Sequence, residues 1–200
     1  MKLRENISTE RLQKLQRVLE KRQYDITLVL EHVHDPHNIS AVMRSCDAVG
    51  VQVVHIIPQP DSHQNLGKKS SASASKWLDI IYHEDIESCI KSLKKEGFQI
   101  LSSKLDSEMK SVDLYSLNFN DKLALIFGNE HEGVSNLAVE LADGNFHIPQ
   151  FGIIESLNIS VAAAVSLYEA LRQRRIEGHY NISKSNQKRL ENKLIEWSHK

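Results

Sequence analysis

Two hydrophobic rhythms alternate along this chain. Short continuous apolar runs at Ile26–Leu30, Val51–Ile57, Leu78–Tyr82, Phe98–Leu101, Lys122–Phe127 and Phe146–Ile148 read as strands buried on both faces. Between them the spacing turns helical. Leu12, Leu15 and Leu19 follow the capping candidates Ser8 and Thr9. A second helix is expected from Asn38, as N-cap, to Val49, stopped by Gly50. Further helices are expected over 84–96, 136–141 and 157–175, and a last one carries Leu190, Leu194 and Trp197. Residues 59–76, and the stretch before Lys122, read as polar loops.

Strands alternating with helices predict an open, mostly parallel α/β sheet with helices on both faces and right-handed crossovers. The helix after Leu157 is apolar nearly all round, through Ile159, Val161, Ala162, Ala163, Ala164, Val165, Leu167, Ala170 and Leu171. In a chain this small, one of its sides needs a second subunit to cover it, so a homodimer is expected.

Two hundred residues, 40% hydrophobic and 26% charged, suit a single globular body with a real core. The net charge of −1 hides an asymmetry. Residues 1–24 and 168–200 each carry net +4, which leaves −9 for the middle. Two basic ends around an acidic centre suggest phosphate contact at the ends and argue against RNA wrapping the whole surface. Cys46 and Cys89 alone make no disulfide framework, and neither a leader nor a membrane span is visible, so a cytoplasmic protein is expected.

Candidate chemistry sits where strands open into loops. One loop runs Glu31-His32-Val33-His34-Asp35-Pro36-His37-Asn38-Ile39-Ser40 and leads to Arg44. An Asn and an Arg near a helix start suit a phosphate or a ribose. A second loop is Gly128-Asn129-Glu130-His131-Glu132-Gly133, and a third runs from Ile148-Pro149 to Ser156-Leu157-Asn158-Ile159-Ser160. Strand ends opening into glycine-containing loops make a ligand cleft at the carboxyl edge of an α/β sheet. His32, His34 and His37 crowd together, but structural zinc usually adds cysteines or a distant second pair, so no metal is expected.

These three segments, in this order, resemble the motifs of the SPOUT-class RNA 2′-O-ribose methyltransferases of the TrmH/SpoU type. Arg22-Gln23, Lys76-Trp77, Leu141-Ala142-Asp143, Tyr168-Glu169-Ala170 and Arg172-Gln173-Arg174 resemble the tRNA guanosine branch of that family. The resemblance implies an obligate dimer and a C-terminal trefoil knot formed by about residues 123–170, which periodicity does not show and general topology disfavours. It also implies S-adenosylmethionine as methyl donor and a tRNA D-loop guanosine, position eighteen, as acceptor. A body spanning 25–177 would carry a basic N-terminal helix (1–24) and a basic amphipathic C-terminal helix (178–200).

Residue by residue, the resemblance makes Arg44 the central catalytic group, with Asn38, Glu130, Ser156 and Asn158 around it. A free guanidinium is a poor base, so Arg44 is expected to stay charged, clamp phosphate and stabilise an emerging alkoxide. Ser103, Gly128, Asn129, Ile148, Phe151, Gly152 and Leu157 would line the donor site, with Gly128 letting backbone approach the ligand. Arg4, Arg11, Arg17, Arg22, His37, Lys76, Arg172 and Arg174 are the candidate RNA contacts. The chain departs from the branch at Ser73-Ala74-Ser75, where Gly-Gly-Ser-His is common before Lys-Trp, and at Glu132 and Glu155. A ribosomal RNA target and a catalytically silent RNA-binding protein are the alternatives. A Rossmann-type nucleotide site is disfavoured because no G-x-G-x-x-G follows the first strand.

Overall fold

The fold is described from a computed structural model, over residues 2–59, 74–104, 111–154, 156–181, 183 and 185–200. The strands are β1 (Ile26–Glu31), β2 (Val53–Ile57), β3 (Asp79–Tyr82), β4 (Gln99–Ser102), β5 (Ser111–Asp113), β6 (Leu123–Phe127) and β7 (Gly144–His147). The helices are α1 (Thr9–Glu20), α2 (Pro36–Val49), α3 (Ile86–Lys95), α4 (Asn136–Leu141), α5 (Ile159–Ile176) and α6 (Gln187–Ser198). All seven strands join one sheet in the order β3-β2-β1-β6-β4-β7-β5, and every pairing is parallel. Their carboxyl ends therefore open on one edge.

The pleat explains the continuous apolar runs. On β1, Ile26, Leu28 and Leu30 point to one face and Val29 to the other; on β6, Leu123, Leu125 and Phe127 oppose Ala124 and Ile126. The first face is covered by α2 (Ile39, Val42, Met43, Cys46, Val49) and α5 (Ile159, Ala163, Leu167, Ala170). The second is covered by α3 (Ile86, Cys89, Ile90, Leu93) and α4 (Ala138, Val139). Truncating a fully buried strand residue such as Leu28 costs about 2–5 kcal/mol, so the central strands hold the loop bases rigidly. At the chain ends α1 packs on α6, with Leu15 and Leu19 against Trp197. No helix among the described residues is long and apolar enough to cross a membrane.

Several boundaries differ from the expectation. Helix α2 begins at Pro36, and Asp35 rather than Asn38 caps it, its carboxylate accepting the His37 amide at 2.8 Å. Proline at the first helical position is pre-set for helix and has no amide to leave unpaired, so the helix starts earlier and places Asn38 inside its first turn. Gly50 ends α2 at φ 87°, as expected. Helix α5 starts at Ile159 with Asn158 as its cap. Strand β2 starts at Val53, while Val51 makes only an isolated bridge to Gln23. Strand β5 lies where a loop is expected, because three residues with one apolar side chain, Val112, give no period. Within the polar loop 59–76, residues 75–77 form a 3₁₀ turn, whereas Gln64, Asn65, Gly67, Lys68, Lys69 and Ser73 lie outside the described residues, as does Glu155.

Candidate active site

The three motif segments meet. Asn38, in the first turn of α2, donates through Nδ2 to Glu130 Oε1 at 2.7 Å. Its Oδ1 accepts Asn158 Nδ2 at 3.2 Å, at the start of α5. Glu130 also accepts the His34 and Asp35 amides at 3.3 and 3.4 Å. One amide thus bridges loops that are 92 and 120 residues away in sequence. Burial pushes the Glu130 carboxyl up, but hydrogen bonds from Asn38, its own amide, His34 and Asp35 outweigh it and hold the group below its usual range. Glu130 is therefore an anion and an orienting acceptor at neutral pH, not a proton reservoir.

The loop carrying Glu130 is fixed from below. Buried Glu31, at the end of β1, accepts the Ser135 amide at 2.9 Å and its hydroxyl at 2.6 Å. Asn129 accepts the amides of His131 and Glu132, and its backbone pairs with Gly133. A Cβ on Gly128 would fall 2.0 Å from the Gly133 carbonyl, so this glycine is needed for the loop to fold back on itself. That is a local reason for Gly128, distinct from the ligand approach expected of it.

Beside this network lies a cleft of about 850 Å³ at the carboxyl edge, within the roughly 300–1,000 Å³ usual for small-ligand sites. Of the residues the sequence suggests for the donor site, Ser103, Ile148, Phe151, Gly152 and Leu157 line it, together with Ser156, which is expected beside Arg44. Gly128 and Asn129 are not among its lining residues. Sequence reasoning missed Asp113, His147 and Gln150, which also line it. Asp113 was invisible because β5 was, and His147 because it ends a strand, β7, whose register only the sheet reveals; its Nδ1 faces Ser111 Oγ at 3.2 Å. The walls Phe146, Ile148, Leu157 and Ala162 are apolar, while Ser103, Asp113, His147, Gln150 and Ser156 supply polar groups, a mixed lining that suits a ligand with both a flat apolar part and polar substituents.

Arg44 is exposed on α2 and has no hydrogen-bond or ion-pair partner among the described residues. Its natural partner on the helix, Asp47 at i+3, is taken by Arg22. The Arg44 guanidinium is left available to an anion.

Two RNA-contact candidates are corrected by the structure. Arg22 is 1% exposed, pairs with Asp47 and lies over the Trp197 ring at 5.1 Å. Arg174 is fully buried, pairs with Asp25, and donates to Gln23 and to the carbonyls of Phe119 and Asp121. Both clamp elements together: Arg174 is bonded through all three nitrogens, whereas Arg22 bonds through Nη1 and Nη2 and its buried Nε has no hydrogen-bond partner among the described residues. Arg4, Arg11, Arg17, His37, Lys76 and Arg172 remain exposed, although Arg172 is engaged by Glu169 at 2.8 Å. Lys14, Arg17, Lys21 and Arg175 line a second cleft of about 850 Å³ against the end of α2, within the size range usual for ligand sites.

Comparison with known proteins decides the family. Residues 25–168 match the model of the SpoU rRNA Methylase family. The chain belongs to this family of RNA methyltransferases. As a member of it, the chain is 37% identical over 190 residues to a tRNA (guanosine(18)-2′-O)-methyltransferase of Thermus thermophilus, covering 95% of this chain and 96% of that one. This SpoU-family fold superposes on the TrmH/SpoU tRNA modifying enzyme of Aquifex aeolicus with a TM-score of 0.87 at 34% identity, covering 95% of each chain. It also matches the SpoU methyltransferase AviRb of Streptomyces viridochromogenes, solved in complex with the cofactor AdoMet, with a TM-score of 0.65 at 25% identity over 80% of this chain and 64% of that one.

Proposed function

We propose that this protein transfers the methyl group of S-adenosylmethionine to the ribose 2′-hydroxyl of guanosine 18 in the tRNA D-loop. The observation that carries the reading is the Asn158–Asn38–Glu130 network, which joins the three motif loops beside the cleft. The Thermus and Aquifex relatives, similar over nearly their whole length, support tRNA as the substrate class.

When bound, S-adenosylmethionine supplies a methyl group already activated by sulfonium charge, so the protein's task is alignment. Ser103, Ile148, Phe151, Gly152 and Leu157 hold the donor, with Gly128 and Asn129 shaping the neighbouring loop. Arg44 keeps its proton and binds the phosphate next to the target ribose, where its charge lowers the cost of forming the alkoxide. Asn38 fixes the α2 entrance, Glu130 orients the acceptor, and Ser156 and Asn158 set the edge of the cleft. The transfer itself needs no metal.

The exposed cations Arg4, Arg11, Arg17, Lys76 and Arg172, with His37, serve as RNA contacts, and the basic segments 1–24 and 178–200 flank a methyltransferase body over 25–177. The chain works as a homodimer. Phe151 and Ile153 are fully exposed, and Val161 and Tyr168 leave an uncovered apolar stripe on α5, an arrangement that suits a second copy. The parallel strand order and the family support a trefoil knot over about 123–170. The expected setting is the cytoplasm.

A ribosomal RNA target is the second reading, since the matching family model carries that description. The test is incubation of the protein with labelled donor and unmodified tRNA, followed by mapping of the methyl group. Label on the guanosine 18 ribose, absent when that sugar is 2′-deoxy, is the expected result. Label only in ribosomal RNA overturns the tRNA reading.

A further inference from the structure

A second cluster of chemistry-bearing side chains lies on the sheet face opposite α2 and α5. We propose that His55, His83 and Cys89 form a site for one zinc-class divalent cation, which staples α3 and the edge strand β3 to β2. His55 projects from β2, His83 directly follows β3, and Cys89 sits in the first turns of α3. Their ligand atoms all lie within 4.8 Å of one another. His55 Nδ1 and His83 Nε2 are 2.8 Å apart, with rings stacked at 5.1 Å.

Zinc–nitrogen and zinc–sulfur bonds of about 2.0–2.3 Å put tetrahedral ligand atoms roughly 3.3–3.8 Å apart. The imidazole nitrogens need to open slightly and the thiol to close by about an ångström, which side-chain torsions can supply. His55 is nearly buried and Cys89 fully so, while His83 is partly open, giving an ion its entry and a water its place as fourth ligand. The donor set of two imidazoles and one thiolate is that of a borderline-soft metal.

Burial leads the shifts at all three groups: it raises the Cys89 thiol, to about 12, with the carboxylates of Asp85 and Glu31 adding to it, and lowers both imidazoles, His55 to about 4. The imidazoles are therefore neutral and ready to ligate, and the two carboxylates offset part of the cost of burying a dication. Asp85 is already engaged as the cap of α3, accepting the Ser88 amide at 2.7 Å, so it acts through its charge. On binding, the Cys89 Sγ–H proton passes to water, one per ion. The histidines that cluster in sequence, His32, His34 and His37, are not the group that comes together in this way.

The test uses the full chain freed of metal by a chelator and then given Zn²⁺ or Co²⁺ alone. One ion per chain, a near-ultraviolet thiolate–Co²⁺ charge-transfer band, and a melting temperature about 5 °C higher at 100-fold excess over Kd are expected. The band should vanish in Cys89→Ser and fall sharply in His83→Gln. The latter alters a partly open residue, so it keeps the test decisive if the buried cysteine variant fails to fold. No band and no stabilisation in the unaltered chain would overturn the site, as would a band undiminished in His83→Gln.

Discussion

The bridging amide of Asn38 gives a sharp prediction through Asn38→Asp. In the native site Nδ2–H donates to Glu130 Oε1 at 2.7 Å. Asn38→Asp removes that donor and sets a second carboxylate against the first. The lost hydrogen bond to a charged group is worth about 1.5–3 kcal/mol in general, and about 1 kcal/mol at this solvent-exposed position. Two unit charges about 4 Å apart repel by about 1 kcal/mol in water and up to about 4 at an effective dielectric of 20. Exposure of Glu130 puts the repulsion near the lower figure. The sum of about 2 kcal/mol predicts a loss of about thirty-fold in kcat/KM for methyl transfer to tRNA. Asn38→Ala, which removes the donor without the repulsion, should lose only about five- to tenfold. Adding Glu130→Gln to Asn38→Asp restores a donor facing an acceptor, with polarity reversed, and should recover at least fivefold over Asn38→Asp alone. Steady-state kinetics on the three variants, with circular dichroism as a check on folding, decides the matter. Equal rates for Asn38→Asp and Asn38→Ala, or no recovery in the double variant, would refute the bridge.

Further predictions concern charge. The depressed Glu130 carboxyl stabilises the folded state above its ordinary value of 4.5, and this stabilisation is lost as pH falls through the lower folded value. The melting-temperature gap between wild type and Glu130→Gln should therefore hold steady from pH 8 to about 5 and close below about 4.5. On the proposed role, Arg44→Ala should lower kcat by about 10²–10³, measured under single-turnover conditions, while leaving the melting temperature unchanged, because the exposed side chain has no hydrogen-bond or ion-pair partner among the described residues. Arg174→Ala should do the reverse in kind, costing about 3–5 kcal/mol in urea unfolding by removing the buried ion pair to Asp25 and the donors to the Phe119, Asp25 and Asp121 carbonyls. Charge removal at Lys14, Arg17 and Lys21 together should reduce the magnitude of the salt slope of tRNA binding by about two to three, and leave donor affinity unchanged.

Much of this site could be read from the chain because strand ends and loop residues carry local signatures. The six buried residues of β1 announce a central parallel strand, and the three motif loops follow strands whose ends share one edge. What stayed hidden depends on partners distant in sequence. Arg22 and Arg174 look like surface cations until Asp47 and Asp25 are placed beside them, 25 and 149 residues away. Asn38 reads as a cap until Pro36 is seen to start the helix earlier and turn its amide toward Glu130. Asp113 belongs to a strand too short to show a period, so a cleft wall went unseen.

The contact between α1 and α6 has an architectural corollary. The Arg4 amide donates to Ser198 Oγ at 3.0 Å, and the His199 ring meets the Lys2 carbonyl at 3.0 Å. Residues 2–4 and 198–199 thus lie side by side, and a few-residue linker could splice these two segments into a closed ring. Reopening that ring at the exposed Glu96–Gly97 turn would yield a permuted protein in which Arg44 and the Asn158–Asn38–Glu130 network keep their places while the order of translation changes.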